Sequence, residues 1–282
     1  MSRASGATTN YLGRIGCAQL TTPDPESLRT LQHRHLRAIP FENLNVLCGA
    51  PITTAARPVR EKLVDQARGG LCFELNSAFA HLLADLGYHV ALIEADIAFR
   101  GGFVDGIGHP LLLVTVASEQ WLVDVGFGGL SYLEPLRWNA TRPQRQHGQT
   151  FHIERVGDHR VIHREDAGGA VTPMFRTAAE PPERSWQDFD EAMEFHRTSP
   201  DSPFTRKLIC SRATGDGQVV LAGGRLTVLR NGTTTETQLS ADSPVYGAAV
   251  AWILHGIGDF TTAFDLGTTR SSTPSILDQQ AS

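Results

Sequence analysis

The hydrophobic period of this chain changes once, sharply, at Gly87, and that change limits what it can fold into. Before it, Cys72, Leu75, Asn76, Phe79, Leu82, Leu83 and Leu86 fall on one helical stripe, which Gly87 closes as a C-cap. After it, residues 89–99, 111–117 and 121–125 are short apolar runs separated by turn-forming residues, the pattern of strands. The stretch before the helix also reads as helical. Asp24-Pro25 is an N-cap followed by proline at the first helical position, with Leu28, Leu31 and Leu36 on the helical period. Pro40 interrupts that helix, and a second is expected over residues 59–67. Further strands are expected at 149–155 and 159–164, a short helix at 188–195, strands at 218–221 and 225–229, and a last helix at 245–255. Asn231-Gly232 reads as a hairpin turn, 137–148 as a polar, arginine-rich loop, and the tail from Thr268 as loose. The order is helices, then strands, then mixed elements, with no internal repeat.

Several function classes are disfavoured before any motif is considered. A net charge of −5 offers a polyanion no bulk attraction, so nucleic acid is not an expected partner. The first ten residues have no apolar core of the secretory kind, and no apolar run approaches the length of a membrane span. The four cysteines stand at 17, 48, 72 and 210 with no CxxC pair, which is neither a disulfide framework nor a zinc site. The expectation is a cytoplasmic protein with reduced thiols, no metal and no membrane partner.

Among those thiols Cys72 has the distinctive position. It falls in the first turn of the clearest helix, after Arg68-Gly69-Gly70, where unpaired backbone N–H groups and the helix dipole favour a thiolate. Position alone leaves open the commoner alternative, a small buried apolar residue. A catalytic thiol needs a base and the base an orienting group. The chain has eleven histidines, so geometry must choose. If Ala117-Ser118 form a two-residue turn, Val116 faces Glu119, His109 faces Gly126, and Asp124 is the diagonal neighbour of His109 on one face. Cβ atoms so related lie roughly 7–8 Å apart or somewhat less, within reach of an imidazole and a carboxylate. An aspartate among Leu122, Val123, Val125 and Phe127 is also costly to bury without a partner. A strand-edge histidine and a turn-capping aspartate remain the alternative on this evidence.

Five segments in order make the pattern specific. Arg68-Gly-Gly-Leu-Cys72-Phe-Glu-Leu-Asn76 resembles the active-site cysteine motif of the arylamine N-acetyltransferases. Tyr11-Leu-Gly-Arg14-Ile15 is similar to that family's opening motif, and Pro40-Phe41-Glu42-Asn43-Leu44 to its second. His109 followed by a strand and Asp124-Val-Gly-Phe-Gly128 resembles its histidine and aspartate segment, and Thr198-Ser-Pro-Asp-Ser-Pro-Phe204 the start of its third domain. The matches span roughly residues 11 to 230.

The resemblance implies an α+β fold with a helical N-terminal domain, a β-barrel-like middle domain and an α/β C-terminal lid, around a cysteine-protease-like triad. The divisions expected are 1–88, 89–185 and 186–267, with 268–282 as tail. It implies catalysis by Cys72, His109 and Asp124 in a ping-pong reaction. Acetyl-CoA acylates Cys72, and an arylamine, arylhydroxylamine or hydrazine takes the acetyl group. The Cys72 backbone N–H is a candidate oxyanion donor. Phe41, Phe127 and Phe204 fall in motifs that line the acceptor pocket, and Gly126, Gly128 and Gly129 form a loop open to a pantetheine arm or pyrophosphate. Glu42 is expected to hold Arg68 or Arg14 in a structural ion pair. One departure stands out: Met193 and Glu194 occupy the region where family members often carry an asparagine, so the lid is open to a different docking. The rivals are a macrolactam-forming amide synthase with the same triad, and a cysteine hydrolase of papain or transglutaminase type.

Overall fold

The computed structural model describes residues 6–19, 22–99 and 101–256, without the side chains of 105–107. Its first part is helical: α1 (Gly6–Arg14), α2 (Pro25–Ala38), the two-residue strand β1 (Phe41–Glu42), α3 (Leu44–Leu47), α4 (Ala56–Arg60) and α5 (Cys72–Asp85). Asp24 caps α2 as expected, its Oδ1 accepting from the N–H groups of Glu26 and Ser27 at 2.9 Å each. The expected helix at 59–67 starts earlier and changes character: α4 begins at Ala56 and runs into one π-helical turn, Glu61–Asp65. That turn buries Lys62 and Leu63.

α5 is more than amphipathic. Phe73, Glu74, Leu75, Asn76 and Ser77 are all buried as well as Cys72, so the first turns of the helix are enclosed on every side, while His81, Ala84 and Asp85 further along are exposed. Each fully buried Leu or Phe there contributes roughly 1.5–3 kcal/mol.

The middle of the chain supplies β2 (His89–Phe99), β3 (Gly102–Val116), β4 (Glu119–Val123), β5 (Leu136–Arg137), β6 (Gln144–Gln146), β7 (Gln149–Val156), β8 (His159–Glu165) and β9 (Val171–Ala178). They form one antiparallel sheet in the order β5-β4-β3-β2-β9-β8-β7-β6. It curls into a nearly closed barrel. Its two end strands are joined by side chains instead of a ladder. Gln144 accepts from the Arg137 N–H at 2.7 Å and donates to its carbonyl at 3.2 Å. Gln146 accepts from the N–H groups of Leu133 and Glu134 at 2.7 and 2.8 Å and donates to the Glu134 carbonyl at 3.0 Å. A primary amide presents a carbonyl acceptor beside N–H donors, so it stands in for a peptide group across the seam. The core inside includes Tyr132, Trp138, Phe151 and Phe175, all fully buried.

β3 and β4 pair in the expected register, with Val116 opposite Glu119 and Leu112 opposite Val123. The turn is Ala117-Ser118, both at positive φ (51° and 63°), a two-residue hairpin built without glycine or asparagine.

The last part begins with a 3₁₀ turn (Trp186–Phe189), then α6 (Asp190–Thr198), α7 (Pro203–Arg206), β10 (Ile209–Ala213), β11 (Gly217–Ala222), β12 (Arg225–Arg230), β13 (Thr233–Gln238) and α8 (Pro244–His255). Asn231-Gly232 does form a turn at positive φ, joining β12 to β13. The sheet order is β1-β10-β11-β12-β13, so the lid's sheet takes its edge strand from the helical part of the chain. Asn43 reinforces that junction. It donates to the carbonyls of Phe204 and Lys207 at 2.7 and 2.8 Å and accepts from the Ile209 N–H at 2.8 Å. We propose domain divisions near residues 88 and 185, because every strand of the eight-stranded sheet falls between them; the expected limit at 267 and the tail lie outside the described residues.

Candidate active site

The nucleophile candidate is set by what precedes it. Gly69 and Gly70 bring the chain against residues 40–42: the Glu42 N–H donates to the Gly70 carbonyl at 3.0 Å, and a Cβ on Gly69 would overlap the Pro40 carbonyl. α5 then starts at Cys72, 6% exposed. Glu74 closes this first turn. Its Oε2 accepts from the Leu71 N–H at 3.1 Å and from Lys62 Nζ at 2.7 Å, a buried ion pair supplied by the π-helical turn. Arg68 plays the part foreseen for a structural cation. It reaches Glu42 Oε1 at 2.8 and 3.2 Å, while Glu42 Oε2 accepts from the Leu44 N–H at 2.6 Å. Arg14 instead donates to the Ala67 carbonyl.

His109 and Asp124 meet as the hairpin register requires. His109 Nε2 lies 2.9 Å from Asp124 Oδ2, both side chains at most 2% exposed. A carboxylate oxygen accepts there, so Nε2 carries the hydrogen and Nδ1 is left as the basic nitrogen. The imidazole is held by rings: Phe175 stacks on it at 5.2 Å and 6°, and Phe127 meets it edge-on at 5.7 Å.

Asn76 connects this pair to the helix of Cys72, one turn away. Its Nδ2 donates to Asp124 Oδ1 and to the Pro110 carbonyl, each at 2.9 Å, and its Oδ1 accepts from the Val125 N–H at 3.0 Å. The Gly126 N–H completes the carboxylate's shell at 2.7 Å. Sequence reading missed this role, although an amide on an otherwise apolar stripe four residues after Cys72 was the available signal.

The thiol's own electrostatics differ from the simple helix-dipole expectation. Burial, then the Asp124 carboxylate, push the Cys72 thiol well above its ordinary range. The N–H groups of Phe73 and Cys72 pull the other way and lose. A lone Cys72 in this environment keeps its proton.

Of the remaining expected residues, Gly126 packs on Cys72 and Phe127 on the His109 ring, while Gly128, Phe41 and Phe204 follow one on another. A Cβ on Gly126 would stand 2.7 Å from Cys72 Cα, and one on Gly128 2.7 Å from the ring of Phe41. Their missing side chains are therefore already required by the protein's own packing. The Gly129 carbonyl accepts from Gln218 at 2.9 Å, tying the loop to β11. Phe41 and Phe204 lie 5.7 Å apart, bringing α7 of the lid to the same place. Met193 packs against the core cluster that contains Cys72 and Phe41, and the exposed Glu194 pairs with Arg197 at 2.8 Å. The loop 137–147 is held by the protein itself: Arg137 lies over Trp121 and pairs with Glu119, and His147 pairs with Glu134.

Comparison with known proteins agrees with fold and site. The profile of a family described as N-acetyltransferase matches residues 24–249. The chain is 31% identical over 255 residues to the arylamine N-acetyltransferase of Mycolicibacterium smegmatis, covering 88% of this chain and 92% of that one. It is also 31% identical over 255 residues to proansamycin X synthase of Amycolatopsis mediterranei, covering 87% of this chain and 96% of the other. The solved structure of Mycobacterium marinum arylamine N-acetyltransferase in complex with CoA superposes with a TM-score of 0.76 at 29% identity, over 87% of this chain and 94% of that one. The class is thus that of the N-acetyltransferase enzymes. More narrowly, the chain belongs to the arylamine N-acetyltransferase family. No helix among the described residues is long and apolar enough to cross a membrane.

Proposed function

We propose that this enzyme moves an acetyl group from acetyl-CoA to the nitrogen of an arylamine or hydrazine, or to an arylhydroxylamine, through a thioester on Cys72. The observation that carries the reading is the bonded sequence Asn76, Asp124, His109, anchored on the helix whose first residue is Cys72. A buried thiol that resists ionisation becomes a nucleophile only if its proton has somewhere to go, and His109 Nδ1 is the base offered. In the first half-reaction the sulfur attacks the thioester carbonyl, its proton passes to His109, and coenzyme A leaves. In the second the amine attacks the acetyl-cysteine and His109 mediates the proton transfers, with Asp124 fixing the tautomer. Phe41, Phe127 and Phe204 supply flat apolar walls suited to an aromatic acceptor. The loop at Gly126, Gly128 and Gly129, packed on Cys72 and Phe41 and half-buried at residues 127 and 128, is the proposed approach for the pantetheine arm. We place the protein in the cytoplasm, with neither nucleic acid nor membrane as partner, on its charge and its reduced thiols.

Intact-protein mass spectrometry after incubation with acetyl-CoA alone tests the reading. A single acetyl adduct is expected on Cys72, discharged by aniline and absent in Cys72→Ser. An unmodified wild-type protein with a reduced thiol would overturn it. A macrolactam-forming amide synthase is the second reading, favoured by the likeness to proansamycin X synthase. Acylation only from a carrier-protein thioester, with acetyl-CoA inert, would select it.

A further inference from the structure

α6 carries an imidazole that the proposed triad does not use. His196 is 8% exposed. Its ring centroid lies 6.0 Å from that of Phe73, the residue after Cys72, and 4.8 Å from that of Phe204, which packs in turn on Phe41. His196 thus packs on the helix of Cys72 through Phe73 and on the Phe41–Phe204 pair. Burial, then the neighbouring His109, hold its pKa down at about 4, so the ring is neutral near pH 7.

Pro200 decides which ring nitrogen carries the hydrogen. A helical carbonyl at position 196 would accept from the backbone N–H of residue 200, and proline has none. The Ser202 hydroxyl takes that place, donating to the His196 carbonyl at 3.2 Å. A hydroxyl has one hydrogen to give. The contact of 3.2 Å between Ser202 Oγ and His196 Nδ1 is then a hydrogen bond from Nδ1–H to the hydroxyl. Nε2, across the ring, is left with a bare lone pair and makes no hydrogen bond among the described residues. Nε2 is not among the fully enclosed nitrogens that lack a partner, so it is open to solvent and to a ligand. Phe73 and Phe204 have no hydrogen to offer it, whereas a nucleophile bearing N–H does.

We propose that His196 Nε2 receives one N–H of the acceptor amine as it attacks the acyl group on Cys72, making His196 a specificity-determining contact of the acceptor subsite. The proposal rests on the acyl-transfer reading above. In that step the amine lone pair forms the C–N bond, and the C–S bond breaks with its electrons returning to the Cys72 sulfur. The proton lost from nitrogen passes to His109 and on to sulfur. His196 takes no proton; it holds the second N–H. A primary arylamine or a hydrazine has that second hydrogen. An N-methyl arylamine does not, because its one N–H is the one it gives up.

The test compares kcat/KM for aniline and N-methylaniline, with p-nitrophenyl acetate as donor, in the wild type and in His196→Phe, His196→Gln and His196→Asn. Gln places an amide near the former Nε2, and Asn nearer Nδ1. The preference for aniline is expected to fall about tenfold in the Phe and Asn variants and to persist in the Gln variant. Acylation of Cys72 by p-nitrophenyl acetate, in which no amine takes part, is followed in every variant as the separate readout. If the Phe variant does not fold, the Gln and Asn pair decides. An unchanged aniline preference in every folded variant, or a loss that tracks acylation, would overturn the proposal. Failure of wild-type Cys72 to acylate at all would instead bring down the acyl-transfer reading.

Discussion

Asn76 shows how much of this site rests on one residue that performs no chemistry. Three of its contacts converge on the Asp124 turn and on the strand of His109, while its backbone belongs to the helix of Cys72. Asn76→Ala would leave the Val125 N–H, the Pro110 carbonyl and one carboxylate interaction without a partner, all in buried surroundings. A loss of about 2–4 kcal/mol in denaturant unfolding is expected. Where the variant is still folded, acylation of Cys72 should slow at least about tenfold, because the imidazole loses its fixed position. Normal acylation with reduced stability would show Asn76 to be structural only. The candidate nucleophile could be read from sequence because its helix starts there, and Asp124 because the hairpin register is arithmetic. Asn76 stood out only as an amide on an apolar stripe, which marks the residue but not its partners 34 to 49 residues away. His196 escaped for a related reason: its tautomer depends on a proline four residues on and a serine six residues on.

The hairpin of β3 and β4 is the element on which the site's geometry depends. A slip of one residue would move Asp124 to the face opposite His109. The turn holding the register places Ala117 and Ser118 at φ 51° and 63°, where a Cβ is costly by about 1–2 kcal/mol per residue. Ser118→Gly is expected to raise stability by about 1 kcal/mol, read as a higher unfolding midpoint with unchanged m-value, and to leave the acylation rate as it was. A lower midpoint would show that the serine side chain matters more than its backbone strain. Long alternating strands such as β2, β7 and β8 were legible because one side of each meets the core. β13 (TTTETQ) and β6 (QRQ) were not, being polar throughout; β1 is two residues long, and its partner lies far along the chain. These strands exist because a neighbouring edge needs a partner, and no local pattern records that.

For the molecule as a whole, acid sensitivity follows from its buried imidazoles. His35 is fully buried, its Nδ1 meeting the Tyr11 hydroxyl at 3.0 Å, and burial lowers its pKa to about 3; that of His196 lies at about 4. An unfolded histidine titrates near 6.5. Both rings therefore favour the folded state fully above that pH. As pH falls below 6.5 the unfolded chain binds protons the folded one refuses, and stability declines until the folded pKa values are reached. At pH 5 each histidine's share of the loss is roughly 2 kcal/mol. His35→Gln should flatten the fall of the unfolding midpoint between pH 6.5 and 5; an unchanged slope would mean that other groups govern it. The order of helices, strands and mixed elements was visible from the one change of period at Gly87. How the parts interlock was not. The seam closed by Gln144 and Gln146 and the strand lent by residues 41–42 depend on side-chain amides and on an edge, neither of which leaves a hydrophobic trace.

That lent strand also sets a clock for synthesis. Asn43 and Ile209 are 166 residues apart, and at about 5–20 residues per second a ribosome needs roughly 10–30 s to cover the distance. Until then the nascent chain presents an unpaired edge at Phe41 and Glu42 and an Asn43 with nothing to clamp. The helical part leaves the exit tunnel as an unfinished body, and the molecule closes only when its last third arrives.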